Sequence, residues 1–262
     1  MAPTRDLRHA VLLSVDNLGE VADLQRDPTR PATPPGAHPS VTVALPALLR
    51  TLDDLGLPAT FFVEGLNTEL YPEAIRSIAA AGHEIGLHAW RHERWSELSP
   101  AEEDQLLTRG VTAFRALGLE VEGFRPPGGE LGPRTLQALA AHGLRWCSAL
   151  GARPGRAEGI ACLPFRWPLV DAYYRLESFA DVRRGMGAAP GPSSPRAAAD
   201  ALLAGLEAPV DGPLVLILHP FLLVTDDERA EAERVLRRVA DMVAAGERWV
   251  GTGRELAALV LG

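Results

Sequence analysis

Lysine is missing from this chain altogether: all 26 basic side chains in its 262 residues are arginine. That absence removes Schiff-base chemistry, attachment of pyridoxal phosphate and the nucleotide-binding loop whose lysine grips a phosphate. Cysteine is nearly as scarce. Cys147 and Cys162 make neither a disulfide framework nor a zinc knuckle, and both lie in apolar, strand-like text (R-W-C-S-A-L and I-A-C-L-P-F), where buried, inert thiols are expected. No apolar run approaches membrane-spanning length, and the opening M-A-P-T-R-D-L-R-H carries no apolar leader segment. A cytoplasmic location with no membrane partner is therefore expected. Basic runs are absent too, and the formal net charge is −8, which argues against a nucleic-acid partner held through its phosphates. The remaining composition, 47% hydrophobic and 23% charged, is that of a soluble globular enzyme long enough for one or two domains.

The chain is organised as a repeat of short apolar run, then amphipathic segment. Residues 9–15 (H-A-V-L-L-S-V) form a continuous apolar run, as expected of a strand buried on both faces, and it ends in Asp16-Asn17. Residues 19–39 hold Pro28, Pro31, Pro34, Pro35 and Pro39, a spacing that predicts a long surface loop covering part of a site. Ser40 is read as the N-cap of a helix to about Leu55. Strands follow at 59–63, 83–87, 121–124, 145–150, 161–167, 213–218 and 248–251. Helices are expected at 72–81, 100–117, 133–142, 197–206, 226–245 and 254–261. Residues 185–195 read as an exposed loop. Seven or eight β-then-α units with no dominant boundary predict a single domain over residues 1–262: a (β/α) barrel of seven or eight parallel strands, with a doubly wound open sheet as second choice.

In such a barrel chemistry belongs at the C-terminal ends of the strands. There stand Asp16 and Asn17 after the first strand, His88 and His92 after the third, Arg125 after the fourth, and His219 after residues 213–218. An i, i+4 histidine pair on a helical turn can grip one metal ion. Each residue has a bland alternative: Asp16 as a turn former, the histidines as solvated loop residues, Arg125 as a structural ion-pair partner, His219 as a packed core histidine. Four strand ends agreeing is hard to obtain from packing alone.

The motifs S-V-D-N, H-A-W-R-H, R-P-P-G-G and L-I-L-H-P, with P-A-T-F-F-V and G-H-E-I-G-L-H between, resemble the polysaccharide deacetylase (NodB-homology) family over nearly the whole chain. His219-Pro220 and W-P-L-V-D-A-Y-Y resemble its cytoplasmic branch of allantoinase-like, cyclic-imidase-like and peptidoglycan-deacetylase-like members. The resemblance implies a distorted barrel and metal-assisted hydrolysis of an amide. Asp16 would be the base on the attacking water, Arg125 its orienting partner and His219 the acid for the leaving nitrogen. His88, His92 and the position of Asn17 would hold a divalent metal, zinc above all. Trp90, Trp167 and Asp171 are the expected substrate-binding residues, with Trp90 and Trp95 equally open to a packing role.

The departures are informative. The family's second carboxylate is here Asn17, a neutral oxygen and a poorer partner for a divalent cation; Glu20 is near enough in sequence to stand in. No aspartate-and-tryptophan motif of the extracellular sugar deacetylases surrounds Trp146, which argues against a chitin-type polymer. The expected function is hydrolysis of a non-peptide carbon–nitrogen bond, by N-deacetylation of an amino sugar or small N-acyl metabolite or by opening of a cyclic amide. The alternative is a metal-independent member repurposed in specialised metabolism: a ureide hydrolase, a cyclisation or elimination enzyme, or a non-catalytic binding protein. The expected partner is a small molecule, with room for a homo-oligomer.

Overall fold

Strand β1 (Ala10–Asp16) is buried at every position, and the architecture is built outward from it. Its Ala10 and Leu12 belong to one apolar cluster and Val11, Leu13 and Val15 to another, as the two-residue period of a strand demands. A computed structural model describes residues 5–26 and 34–262 and places β1 between β8 (Leu214–Leu218) on one side and, along its other side, β9 (Trp249–Val250) at its start and β2 (Thr60–Val63) at its end, all parallel. From β2 the sheet runs on through β3 (Glu84–Leu87), β4 (Gly123–Phe124), β5 (Trp146–Cys147) and β7 (Ile160–Cys162), again parallel. Beyond β7, Phe165 bridges Leu150, and Val170 bridges Ile217 of β8 in parallel sense. The curled sheet is thus drawn toward closure by single bridges, a distorted (β/α) barrel as expected.

Among the described residues one strand, β6 (Gly155–Ala157), is antiparallel, and the sequence does not announce it. It forms a hairpin with β7 whose two turn residues, Glu158 and Gly159, both have positive φ (49° and 81°), the turn that fits strand twist. All three of its residues are exposed, so no apolar pattern announces it.

The helices form where the capping chemistry puts them. Pro100–Ala116, Asp226–Ala244 and Gly253–Leu261 each begin with a capping box, from Ser99/Glu102, Thr225/Glu228 and Thr252/Glu255. Ser40 is not an N-cap. The helix begins at Pro39 with a widened turn over Ser40–Ala44, in which Leu45 N–H donates to Ser40 C=O, before the regular Leu45–Asp54. Pro46 has no N–H to give and crowds the carbonyl four residues back, which favours the extra residue in that turn. The Ser40 hydroxyl instead accepts from Gly19 N–H at 2.9 Å. Within the expected loop at 19–39 lies a short helix, Val21–Arg26; residues 27–33 fall outside the described residues. Among the described residues no helix is long and apolar enough to cross a membrane.

Side-chain parity decides what faces the barrel interior. Leu12, Phe62, Trp146, Ala161, Leu163, Val215 and Ile217 fill it, while their neighbours pack outward against the helices. Trp146 closes the floor so tightly that a Cβ on Gly123 of β4 would lie 2.2 Å from its ring. The same alternation, continued one step past each strand, turns Ser14 and Asp16, His88, Arg125, Ser148 and His219 inward above that floor.

Candidate active site

Arg125 is the centre of the polar layer. It is 1% exposed, and its guanidinium lies 4.1 Å above the Phe62 ring. One terminal nitrogen donates to Asp16 Oδ1 at 2.7 Å and to Ser14 Oγ at 2.8 Å; the other donates to Ser148 Oγ at 2.8 Å. A buried cation with its charge matched and most of its donors engaged is a rigid fixture, and it fixes the Asp16 carboxylate at the cavity floor. Ser14 and Ser148 were not singled out from the sequence; their parity on strands flanking Asp16 and Arg125 was the available signal.

His219, past the end of β8, is held by Asp171 twice. Its Nδ1 lies 2.5 Å from Asp171 Oδ1, and its backbone N–H donates to Oδ2 at 2.8 Å. Burial works against the imidazolium, but the Asp171 carboxylate, with Asp16 farther off, more than offsets it, so the His219 pKa lies above the ordinary histidine value. Asp171 can sit there because the Val170–Ile217 bridge pins the start of helix Asp171–Arg175 beside β8. Its contacts are thus those of a partner orienting and charging His219. Arg183, 2% exposed, holds the same segment from behind by donating to the carbonyls of Tyr173, Leu176 and Pro190.

His88 has the opposite electrostatics. Burial pulls its pKa down to about 3, so the ring is neutral. Its Nδ1 lies 2.8 Å from the Arg125 carbonyl, which can only accept, so Nδ1 carries the proton and the Nε2 lone pair is open. The His92 ring stands 5.0 Å away, edge-on. The pair is not on a helical turn, as its spacing suggested. Ala89 and His92 both have positive φ (60° and 66°), and Glu93 Oε2 ties the turn together by accepting from Trp90 and Arg91 N–H. Asn17 is also left-handed, at φ 61°. Such backbone in non-glycine residues is costly and collects at functional sites.

Asn17 Oδ1 is buried without a hydrogen-bond partner and belongs to a residue that lines the same cavity as both histidines. Two imidazoles and an orphaned amide oxygen fit a divalent cation as a neutral three-ligand set. Among the described residues no three His, Cys, Asp or Glu side chains gather to do better. Glu20 does not stand in for the missing carboxylate: it accepts from Tyr71 Oη at 2.5 Å and Gly36 N–H at 2.7 Å, outside the cavity lining.

Glu64, which the sequence reading passed over, lies one residue beyond β2 and is completely buried. Its Oε2 accepts from Leu18 N–H (3.3 Å) and Asn67 Nδ2 (2.9 Å), while Asn67 also donates to Leu18 C=O, so the two clasp the peptide that follows Asn17. Burial drives its pKa up to about 8, with the Asp16 charge adding to it. An acid directly after a strand was the signal in the sequence.

Asp16, Asn17, His88, His92, Arg125 and His219 line a cavity of about 780 Å³, a size that suits a small molecule. Trp167 is in its lining; Trp90 is not. Trp90 is 2% exposed, packed with Val21 and Leu66 and covered by the Arg109 guanidinium 3.6 Å from its ring. Trp95 is a core residue bonded to Thr135. The walls hold Phe165, Phe179 and Phe221, none of them foreseen. Cys147 and Cys162 lie opposite each other on β5 and β7, away from the cavity, and burial pushes both thiols up, as expected of inert residues, although Cys162 is only half-buried.

Comparison with known proteins gives this layout its relatives. Residues 36–147 match the polysaccharide deacetylase family model. Peptidoglycan deacetylase of Helicobacter pylori is 31% identical over 109 residues, 41% of this chain and 37% of that protein, so the chain spans little more than a third of this curated relative. An allantoinase structure superposes with a TM-score of 0.68 over 96% of this chain at 16% identity, a likeness of fold alone. A crystal structure from Mycobacterium smegmatis, described as a candidate polysaccharide deacetylase, is 31% identical, covers 99% of this chain and 93% of its own, and superposes with a TM-score of 0.82. With that likeness sustained from end to end, this chain belongs to the polysaccharide deacetylase family.

Proposed function

We propose that the chain hydrolyses a carbon–nitrogen bond of a small N-acyl amine. What carries the reading is a pair of titratable groups with opposed surroundings in one cavity: Asp16, acceptor-only and held by Arg125, and His219, kept chargeable by Asp171. Asp16 takes the proton of the attacking water as oxygen bonds to the acyl carbon. As the carbon–nitrogen bond breaks, His219 hands a proton to the departing nitrogen, and the products are a carboxylate and an amine. Arg125 keeps the Asp16 lone pair directed at the cavity, and Asp171 keeps the His219 proton-bearing edge there.

A divalent cation, zinc first among them, would be held by His88, His92 and Asn17, and when bound would supply Lewis-acid polarisation of the acyl oxygen. The same observation that fits it, a donor set without an anion, also favours a second reading, hydrolysis of a cyclic amide or ureide that needs no metal. Acetate release from a panel of N-acetylated amines and amino sugars, with allantoin alongside, tests both in the presence and absence of chelator. Turnover lost in Asp16→Asn and His219→Ala supports the assignment; equal turnover by wild type and both variants overturns it.

A further inference from the structure

We infer that the amine released at this site carries a flat, apolar body and no negative charge: an N-acyl arylalkylamine or similar compound rather than a sugar. The inference rests on the hydrolytic reading above, because that reading says which wall meets the amine. The group that protonates the departing nitrogen is His219, so the body attached to that nitrogen lies along the wall that flanks His219.

That wall is aromatic. Phe221 follows on the Pro220–Leu222 turn with its ring 5.3 Å from the His219 ring. Trp167, four residues before Asp171, packs edge-on against Phe165 at 5.3 Å and Phe179 at 5.0 Å. Leu176 and Ile217 fill the gaps. Trp167, Phe179 and Phe221 are half-buried, so each has a face left for a ligand. The polar side-chain atoms on this wall are the Ser178 hydroxyl and the Trp167 indole N–H. A pyranose can lay a C–H face on such rings, but the hydroxyls around its rim that are turned to this wall beyond the reach of Ser178 and the Trp167 N–H lose water without gaining a partner. A flat apolar body loses nothing and gains ring stacking.

Charge points the same way. Apart from Asp16, paired with Arg125, and His219, paired with Asp171, the charged residues of the lining are Glu93, Glu97 and Glu102 against Arg94. Arg125 is spent on Asp16 and Arg94 on Glu97. Glu93 is held by backbone N–H groups and Glu102 by Ser99. With their bonding thus taken up, the carboxylates act as a field that opposes phosphorylated or carboxylated substrates.

The test is calorimetric binding to Asp16→Asn protein, paired with acetate release by wild type. The probes are N-acetyl-2-phenylethylamine, N-acetylglucosamine and N-acetylglucosamine 6-phosphate. The aryl amide is expected to bind about tenfold or more tighter than N-acetylglucosamine, and the phosphate most weakly. Adding Trp167→Ala or Phe221→Ala should cost the aryl amide about tenfold and leave the sugar within about twofold. Equal or tighter binding of either sugar, no measurable binding of the aryl amide, or aryl binding that survives both truncations overturns the inference. If the aryl amide binds as expected but wild type releases no acetate from it, the hydrolytic reading fails while the wall's preference stands. If wild type deacetylates N-acetylglucosamine faster, the preference fails and the hydrolytic reading stands.

Discussion

Replacing Asp171 with asparagine keeps the shape of the site and removes one charge. In the wild type that carboxylate makes two bonds to His219, at 2.5 Å to the ring and 2.8 Å to the backbone. Hydrogen bonds to a charged group contribute about 1.5–3 kcal/mol each against about 1 for neutral ones. The substituted amide has one acceptor where two stood: it either accepts from Nδ1–H with its NH₂ set against the backbone N–H, or accepts from the backbone N–H while its NH₂ faces Nδ1 and forces the other ring tautomer. The variant must also charge a buried imidazole without its counter-ion. A loss of about 2–4 kcal/mol in the transition state converts to between about 30- and 1,000-fold in kcat/KM. The pH profile separates this from simple misfolding. Because His219 must be protonated, activity falls as pH rises through its pKa, which Asp171 holds above the ordinary value despite burial. Without the Asp171 carboxylate that alkaline limb moves to lower pH. Measuring kcat/KM from pH 5 to 9, with thermal unfolding as control, gives both numbers. A variant with wild-type kcat/KM and an unmoved alkaline limb refutes the role given to the pair.

Three further outcomes follow from particular residues. Glu64, with a pKa raised from 4.5 to about 8, stabilises the fold fully below pH 4.5, and the contribution is lost as pH rises through about 8. Glu64→Gln should therefore flatten the pH dependence and be the more stable form at pH 9, by at most about 5 kcal/mol, read by chemical denaturation at pH 5 and pH 9; identical slopes would refute it. Asn17→Asp supplies an anion where the neutral amide stands, so calorimetry should show zinc bound about tenfold or more tighter, and His88→Ala in that background should reverse the gain. Trp90→Phe leaves kcat/KM within about twofold, because Trp90 packs outside the cavity, while lowering stability by about 1–3 kcal/mol through its lost contacts with Leu66 and Arg109.

Much of the site was legible because parity and topology are simple. Once residues 9–15, 83–87, 121–124 and 213–218 are strands of one barrel, Asp16, His88, Arg125 and His219 must meet at its mouth. What stayed hidden depends on contacts that no linear pattern carries. Trp90 and Trp167 look alike as tryptophans beside motifs, yet Trp90 falls behind the histidine turn and Trp167 into the cavity. That turn itself was misjudged, since the i, i+4 spacing suits a helix equally well, and only Glu93 reaching back to Trp90 and Arg91 N–H distinguishes the two. Asp171 was placed near the substrate; its bonds to His219 depend on the Val170–Ile217 bridge, 47 residues apart in sequence. Glu64 looks like an ordinary acid after a strand until Leu18 and Asn67 close over it.

The most direct test of the central claim, hydrolysis of an acyl–nitrogen bond by Asp16 and His219 across one cavity, follows the oxygen of water. Wild-type protein turning over an N-acetylated amine in ¹⁸O-labelled water should release acetate carrying one labelled oxygen, measured by mass spectrometry. Asp16→Asn and His219→Ala, each folded by circular dichroism, should release it at roughly one hundredth of the rate or less. Unlabelled product, or wild-type release by either variant, contradicts the account.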